Sequence, residues 1–153
     1  MVRLSSLSQA EKAYLDSLPC PTFDAQPWVS GPPLRQRRAA LISTAGLFRQ
    51  GDRPFTPLGA DYRVIPGDLP ARELAMSHVS ANFDRTGFVQ DYNVVFPLDR
   101  LRELAETGKI SSVADFHYSF MGAVPPEEME PAARRLAGLL KGDGVNAVVL
   151  VPV

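Results

Sequence analysis

Two histidines and two serines are the side chains of this sequence that could carry out polar chemistry. Ser43 and Ser119 could act as nucleophiles if His78 or His117 accepted their protons. The G-x-S-x-G turn that exposes such a serine in α/β-hydrolases does not occur in the sequence. The residues therefore do not form a complete hydrolytic set. They are equally compatible with polar side chains that satisfy backbone groups at the ends of strands.

Metal and disulfide chemistry find little support in the same sequence. The two histidines are 39 positions apart and have no Cys or Glu at ligand spacing, so we predict no metal site. Cys20 is the single cysteine of the chain, which excludes an intrachain disulfide framework. It stands between Pro19 and Pro21. We interpret this thiol as a small structural residue.

The elements that must position these side chains alternate between helices and strands. Ser8 and Glu11 form a capping-box pattern before the first helix, and Pro97 and Gly108 bracket a later one. The alternation predicts an α/β fold: a three-layer sandwich with a mostly parallel sheet, an N-terminal helix and a long Pro-rich loop, in a single domain over residues 1–153. The predicted helices span residues 9–18, 98–107 and 127–141, and the predicted strands span residues 39–45, 62–66, 75–79, 116–121 and 146–151.

The ligand crevice of such a sheet lies just beyond the carboxyl ends of its strands. Several polar and small residues follow predicted strands at that edge. The candidates for the wall of a pocket there are Ser43, Thr44, Gly46, His78, Asn93, His117, Ser119, Met121 and Gly122.

Composition narrows the classes of partner. The chain has 16 basic and 17 acidic residues, so it carries no excess of positive charge to neutralise nucleic-acid phosphates. No apolar run approaches the roughly 20 residues of a membrane span, and the N-terminal segment lacks the apolar core of a signal peptide. We therefore expect a cytoplasmic protein that binds neither nucleic acid nor membrane.

The C-terminal stretch GDGVNAVVLVPV, residues 142–153, is apolar and rich in β-branched residues. Such a run is typical of a strand buried on both faces, so we expect residues 146–151 to lie in a core. Chain termini are usually polar and exposed. A terminus at Val153 therefore predicts that a further segment follows in the complete protein.

A family resemblance gives this expectation a chemical meaning. The succession AALISTAGLF, DYRVIP, SHVS, YNVVFPLDRLRELAETGKI, HYSFMGAVPP and LKGDGVNAVVLVPV resembles the selenoprotein B family of glycine, sarcosine, betaine and D-proline reductases, in particular its short bacterial members. The resemblance runs in order from residue 38 to residue 153. Its most specific segments are FPLDRLREL and DGVNAVVLVPV.

The resemblance implies that a Sec-x-x-Cys pair follows Val153 directly and that no other cofactor is needed. Selenocysteine is encoded by UGA, which is read as a stop where the insertion machinery is missing, so residues 1–153 are expected to be the N-terminal part of a selenoprotein. The full-length protein would cleave a C–N bond reductively in an amino-acid-derived substrate. His78 matches a family histidine after the same strand, which makes it the candidate proton donor or substrate anchor. The partners implied are a small-molecule substrate and either partner reductase subunits or a thioredoxin-like reductant.

Two other functions remain open from the sequence. A stand-alone thiol or selenol-disulfide oxidoreductase would use the same redox pair without C–N cleavage, and a non-catalytic small-molecule binding module would have no redox pair. Loss of a downstream segment would also leave an unpaired strand edge and exposed apolar surface. We therefore expect residues 1–153 to form a homo-oligomer.

Overall fold

The computed structural model describes residues 4–20, 22, 24, 26–79 and 85–153 of the chain. The chain divides into two compact units, Met1–Ser30 and Gly31–Val153. The first unit contains a 3-10 turn at Leu4–Ser6 and helix α1, Gln9–Ser17. Ser8 caps α1 by accepting the amide N–H of Glu11, whose carboxylate in turn accepts the amide N–H of Ser8 at 2.9 Å. The predicted N-terminal helix is thus confirmed, while the single domain over the whole chain stays a prediction.

The second unit is built on a mostly parallel sheet. Its strands and those of a smaller sheet are β1 Arg38–Ser43, β2 Leu47–Arg49, β3 Tyr62–Pro66, β4 Leu74–Met76, β5 Ser112–Val113, β6 Phe116–Phe120 and β7 Ala147–Val151. Strand β1 lies at the centre of the main sheet and pairs in parallel with β7 on one side. On its other side β1 pairs in parallel with β5 at its start and with β6 at its end. Strand β3 pairs antiparallel with β6, and β2 and β4 form a separate antiparallel pair.

In the described part of this unit three helices accompany the strands: α2 Thr86–Gln90, α3 Leu98–Glu106 and α4 Pro126–Gly142. Two of them, α3 and α4, form the outer layers. The 3-10 turns lie at Leu34–Gln36, Ala71–Glu73 and Tyr92–Val94. Pro126 stands in the first turn of α4, Glu127 and Glu128 follow it and Lys141 stands in its last turn, as the helix dipole favours.

Alternate residues of β1 build two separate cores. Ala39 and Leu41 belong to a core that includes Leu98 and Leu101 of α3. Ala40 belongs to a second core, whose other buried members are Ala114, Tyr118, Phe120, Ala132, Leu136 and Leu140. Because successive side chains of a strand point to opposite faces, α3 and α4 cover opposite faces of the sheet. The predicted α/β sandwich is confirmed. None of the helices among the described residues is long and apolar enough to cross a membrane.

Arg38 fixes the amino end of this sheet. Its guanidinium donates to the Asp143 carboxylate at 2.6 Å and to the carbonyl of Val113 at 2.8 Å, and it lies 3.1 Å from the carboxylate of Asp115. The hydrogen bond to Asp143 is the main reason why the pKa of Arg38 is raised. One side chain thus links β1, β5 and the residue that follows α4.

The C-terminal strand differs from its expected environment. Within the described residues β7 pairs with β1 alone, and Val148, Val149 and Leu150 are 40%, 37% and 69% exposed. The prediction that residues 146–151 are buried on both faces is therefore wrong for this chain. The apolar pattern correctly predicts a strand, but it does not show on how many sides that strand is paired.

Candidate functional site

The carboxyl edge of the sheet brings together five of the predicted pocket residues: Thr44, Gly46, His78, Met121 and Gly122. A Cβ atom on Gly46 would lie 3.1 Å from the backbone nitrogen of His78 and 3.1 Å from the terminal methyl of Met121. A Cβ atom on Gly122 would lie 2.8 Å from the Cβ of Thr44. Both glycines have positive φ, 66° and 71°, a conformation that side chains rarely adopt. Glycine is needed at both positions because a larger residue would be strained and would push the neighbouring chain away.

Thr44 connects this cluster, which we call the carboxyl-edge cluster, to the residue that follows β7. The N–H of Val153 donates to Thr44 Oγ1 at 2.9 Å, and the same hydroxyl donates to the Val153 carbonyl at 3.3 Å. The Thr44 N–H also donates to the carbonyl of Val151 at 3.1 Å, which continues the ladder between β1 and β7. Thr44 therefore fixes the position of the backbone at Val153.

His78 contacts the same residue from the segment after β4. Its side chain is hydrogen-bonded to the backbone of Val153. Burial lowers the pKa of His78 and the charge of Arg85 lowers it further, while the hydrogen bond to Val153 acts in the opposite direction. Arg85 also donates to the His78 carbonyl, which anchors this segment. Burial thus favours the uncharged form of the His78 imidazole.

The two serines lie inside the protein and are engaged by backbone groups. Ser43 Oγ donates to the Val95 carbonyl at 2.8 Å and accepts the N–H of Ala45 at 3.2 Å. Ser119 Oγ accepts the N–H of Leu47 at 2.9 Å. Both side chains are completely buried. Their contacts match the structural alternative, in which serine hydroxyls satisfy backbone groups near strand ends.

His117 lies in the core between β6 and β1. Its Nδ1 accepts the N–H of Leu41 at 3.0 Å, in the interval where β1 leaves β5 and has not yet paired with β6. Burial, followed by the positive charge of Arg102, lowers the pKa of His117 to about 4. The neutral ring therefore carries its proton on Nε2, which has no hydrogen-bond partner among the described residues. The edge of the ring faces Phe96, with the two ring centres 5.8 Å apart.

Asn93 belongs to a different part of the surface. Its amide nitrogen donates to Asp91 at 2.8 Å and to Asp99 at 3.0 Å, and its oxygen accepts the N–H of Asp99 at 3.0 Å. These bonds lower the pKa of both carboxyl groups. Asn93 lines a cavity of about 340 Å³ together with Ala71, Arg72, Leu74, Phe88, Val89, Gln90, Asp91, Tyr92 and Asp99. The structure thus gives Asn93 the role of organising the start of α3.

An apolar groove next to the carboxyl-edge cluster was not recognised from the sequence. It measures about 600 Å³, lies between α4 and β7 and reaches Thr44 at one end. Its remaining lining residues are Ile42, Phe120, Met129, Ala133, Leu136, Ala137, Leu140, Val148, Leu150, Val151 and Pro152. The sequence of α4 contains a pattern that could have indicated this groove. Met129, Ala133 and Ala137 widen the apolar face of the helix beyond its buried core residues. No group of three or more metal-ligating side chains occurs in the described ranges.

Comparison with known proteins adds the family context. Residues 64–153 match the family model described as glycine/sarcosine/betaine reductase selenoprotein B. The chain is 33% identical over 120 residues to the D-proline reductase subunit gamma of Acetoanaerobium sticklandii, which covers 76% of this chain and 49% of the relative. It is 28% identical over 147 residues to the glycine reductase complex component B subunit gamma of Symbiobacterium thermophilum, covering 90% of this chain and 33% of that one.

A third relative shows a shorter match. The betaine reductase complex component B subunit beta of Peptoclostridium acidaminophilum is 36% identical over 73 residues, which are 47% of this chain and 17% of the relative. The chain therefore spans half or less of the length of these curated relatives. No solved structure matches it significantly.

Proposed function

Because the chain belongs to the glycine/sarcosine/betaine reductase selenoprotein B family, we propose that it is the N-terminal part of a selenium-dependent reductase that cleaves a C–N bond in an amino-acid-derived substrate. The proposal places a Sec-x-x-Cys pair directly after Val153. The lengths of the relatives support a longer protein, since even the D-proline reductase subunit gamma is matched over only 49% of its length.

The observation that carries the proposal is the way Val153 is held. Two side chains from different elements, Thr44 and His78, hydrogen-bond to the backbone of this one residue. A residue joined to Val153 would therefore emerge beside the His78 imidazole. Fixed placement of a reacting atom against a proton donor is what nucleophilic catalysis requires.

The redox pair would supply two electrons when present, because a selenol and a thiol that close to a selenide-sulfide release two electrons and two protons. Reductive cleavage of a C–N bond consumes the two electrons and the two protons: the carbon gains one hydrogen, and the nitrogen gains the other and leaves as the amine. In this scheme the residues of this chain position the redox pair and supply a proton. Thr44 holds the strand end, and His78 gives a proton to the leaving nitrogen or anchors the substrate.

Partners follow from the same arrangement. An external dithiol or a thioredoxin-like protein must reduce the selenide-sulfide after each turnover. The three relatives named above are subunits of reductases or of reductase complexes, which supports partner subunits for this chain as well. The substrate is a small molecule of the amino-acid class.

The experiment that tests the function is a substrate assay of the full-length protein with its partner subunits. Glycine, sarcosine, betaine and D-proline are supplied separately with dithiothreitol, and the released amine or ring-opened product is measured together with the dithiol consumed. We expect one of them to yield one cleaved C–N bond per dithiol oxidised. Dithiol oxidation with disulfides but with none of the four substrates would instead show a stand-alone oxidoreductase. Binding without any redox turnover would show a non-catalytic module.

A further inference from the structure

A positive charge lies beside the carboxyl-edge cluster. Arg85, the residue before helix α2, donates from its guanidinium to the backbone carbonyl of His78. Among the described residues, Arg85 also supplies the charge that acts on the His78 ring. Arg85 is exposed. A cation that is accessible from solvent therefore lies close to the imidazole.

Two other arginines of the same unit bind at the opposite edge of the main sheet. Arg38 donates to the carbonyl of Val113, and Arg102 donates to the carbonyl of Gly67. Both contacts lie where β1 and β6 begin. The six residues of β1 span about 20 Å, and this length separates both contacts from Val153. Arg38 and Arg102 are therefore not placed to bind a molecule that reacts at Val153.

Given the proposed function, from which the substrate class is taken, we propose that Arg85 binds the carboxylate of the substrate beside His78. In an α-amino acid the carboxylate and the nitrogen are attached to the same carbon. The group that binds the carboxylate and the group that serves the C–N bond must therefore be neighbours, as Arg85 and His78 are. Arg85 is then the substrate anchor, and His78 has the single role of proton donor.

The chemistry of a guanidinium suits this role. It has five N–H donors in a planar fork, so it can present two parallel donors to a carboxylate while another donates to a carbonyl. The bond to the His78 carbonyl limits the motion of Arg85, which reduces the entropy lost when a ligand binds. Burial favours the uncharged form of His78, so Arg85 rather than the imidazole provides the positive charge for an anionic group.

The test is an NMR titration of residues 1–153 with glycine and with glycinamide, each between about 1 and about 100 mM at constant pH and ionic strength. The chain has two histidines. The ring signals of His78 report on the site, and those of the fully buried His117 are the internal control. We expect glycine to shift the His78 signals to saturation. Glycinamide, which lacks the carboxylate, should not, and the His117 signals should stay in place with both compounds.

Variants of Arg85 locate the contact. Arg85→Gln should raise the dissociation constant of glycine about tenfold or more, because the charged pair of hydrogen bonds is lost. Arg134→Gln is the matched control: it removes the same charge from the exposed surface of α4, where Arg134 pairs with Glu130. It should change the constant by less than about twofold.

A lysine variant keeps the test decisive if Arg85→Gln loses the folded spectrum. Arg85→Lys retains the charge and a donor for the His78 carbonyl but not the two parallel donors, so it should weaken binding about three- to tenfold. The proposal is overturned if glycine gives no saturable shift of His78, if glycinamide gives an equal shift, or if both Arg85 variants bind glycine undiminished.

This titration does not involve the redox pair. A failure to bind glycine through Arg85 would therefore leave the reductase function standing, with another residue as the anchor. A full-length protein without dithiol-dependent turnover would refute the reductase function, while the carboxylate site at Arg85 would still be measured by the titration.

Discussion

Residues 1–153 alone are expected to show no dithiol-dependent reductase turnover, whereas the chain extended through the downstream pair, with cysteine in place of selenocysteine, should recover part of the activity. The reason is that Cys20 is the only thiol in residues 1–153 and has no second thiol with which to form a redox pair. Removing a nucleophile normally costs at least about a thousandfold in turnover. The measurement is the initial rate of dithiol oxidation with substrate.

The matched control for this comparison is the same extended chain with serine at both positions of the pair. It retains the added length and fold but has no redox-active sulfur in the pair, so it should be as inactive as residues 1–153. Cys20→Ser should change neither rate. If residues 1–153 or the serine variant turned over as fast as the cysteine variant, the chemistry could not belong to the downstream segment.

Alanine at Gly122 is expected to destabilise the protein by about 2–4 kcal/mol, and alanine at Gly108 by only about 1 kcal/mol. Both glycines have similar positive φ, 71° and 68°, so alanine meets the same backbone strain at both. The difference is contact: a Cβ at Gly122 would lie 2.8 Å from the Cβ of Thr44, and a Cβ at Gly108 has nothing within 4 Å. Urea unfolding of the two variants measures the two costs.

A second measurement on the Gly122 variant reports on the site itself. Displacement of Thr44 should weaken the hydrogen bond from the Val153 N–H, so the exchange of that amide with solvent should become faster. In the Gly108 variant the exchange rate of Val153 should not change. Equal losses of stability at the two positions, with no change at Val153, would mean that Gly122 does not hold Thr44 against the end of β7.

Much of the fold could be predicted from the sequence because the signals are local. The capping box at Ser8, Pro97 before α3 and Gly108 after it mark helix ends through interactions within a few residues. Alternation of helices and strands then restricts the topology to a parallel sheet with helices on both faces. Thr44, Gly46, Met121 and Gly122 meet at one edge because they follow the parallel strands β1 and β6, whose carboxyl ends lie together. His78 reaches the same edge from the segment after β4, which belongs to the separate antiparallel pair.

The remaining features depend on contacts that the sequence does not encode locally. Ser43 and Ser119 are buried because β1 and β6 pack against elements far away in the chain. The spacing of the serines and histidines in the sequence therefore could not distinguish a serine nucleophile from a buried structural hydroxyl. Asn93 lines a cavity that contains none of the residues of the carboxyl-edge cluster, and its amide oxygen accepts the N–H of Asp99 near the start of α3. Among the described residues β7 pairs with β1 alone, and a continuous apolar run does not show on how many sides a strand is paired.

The most direct measurement of the central claim is the nucleotide sequence of the gene beyond the codon for Val153. The account predicts UGA at the next position, followed in frame by two codons, a cysteine codon and an open frame that encodes a further segment. Selenium should then be present in the protein purified from its own source. A UAA or UAG codon after Val153, or a frame that closes at once after UGA, would contradict the account.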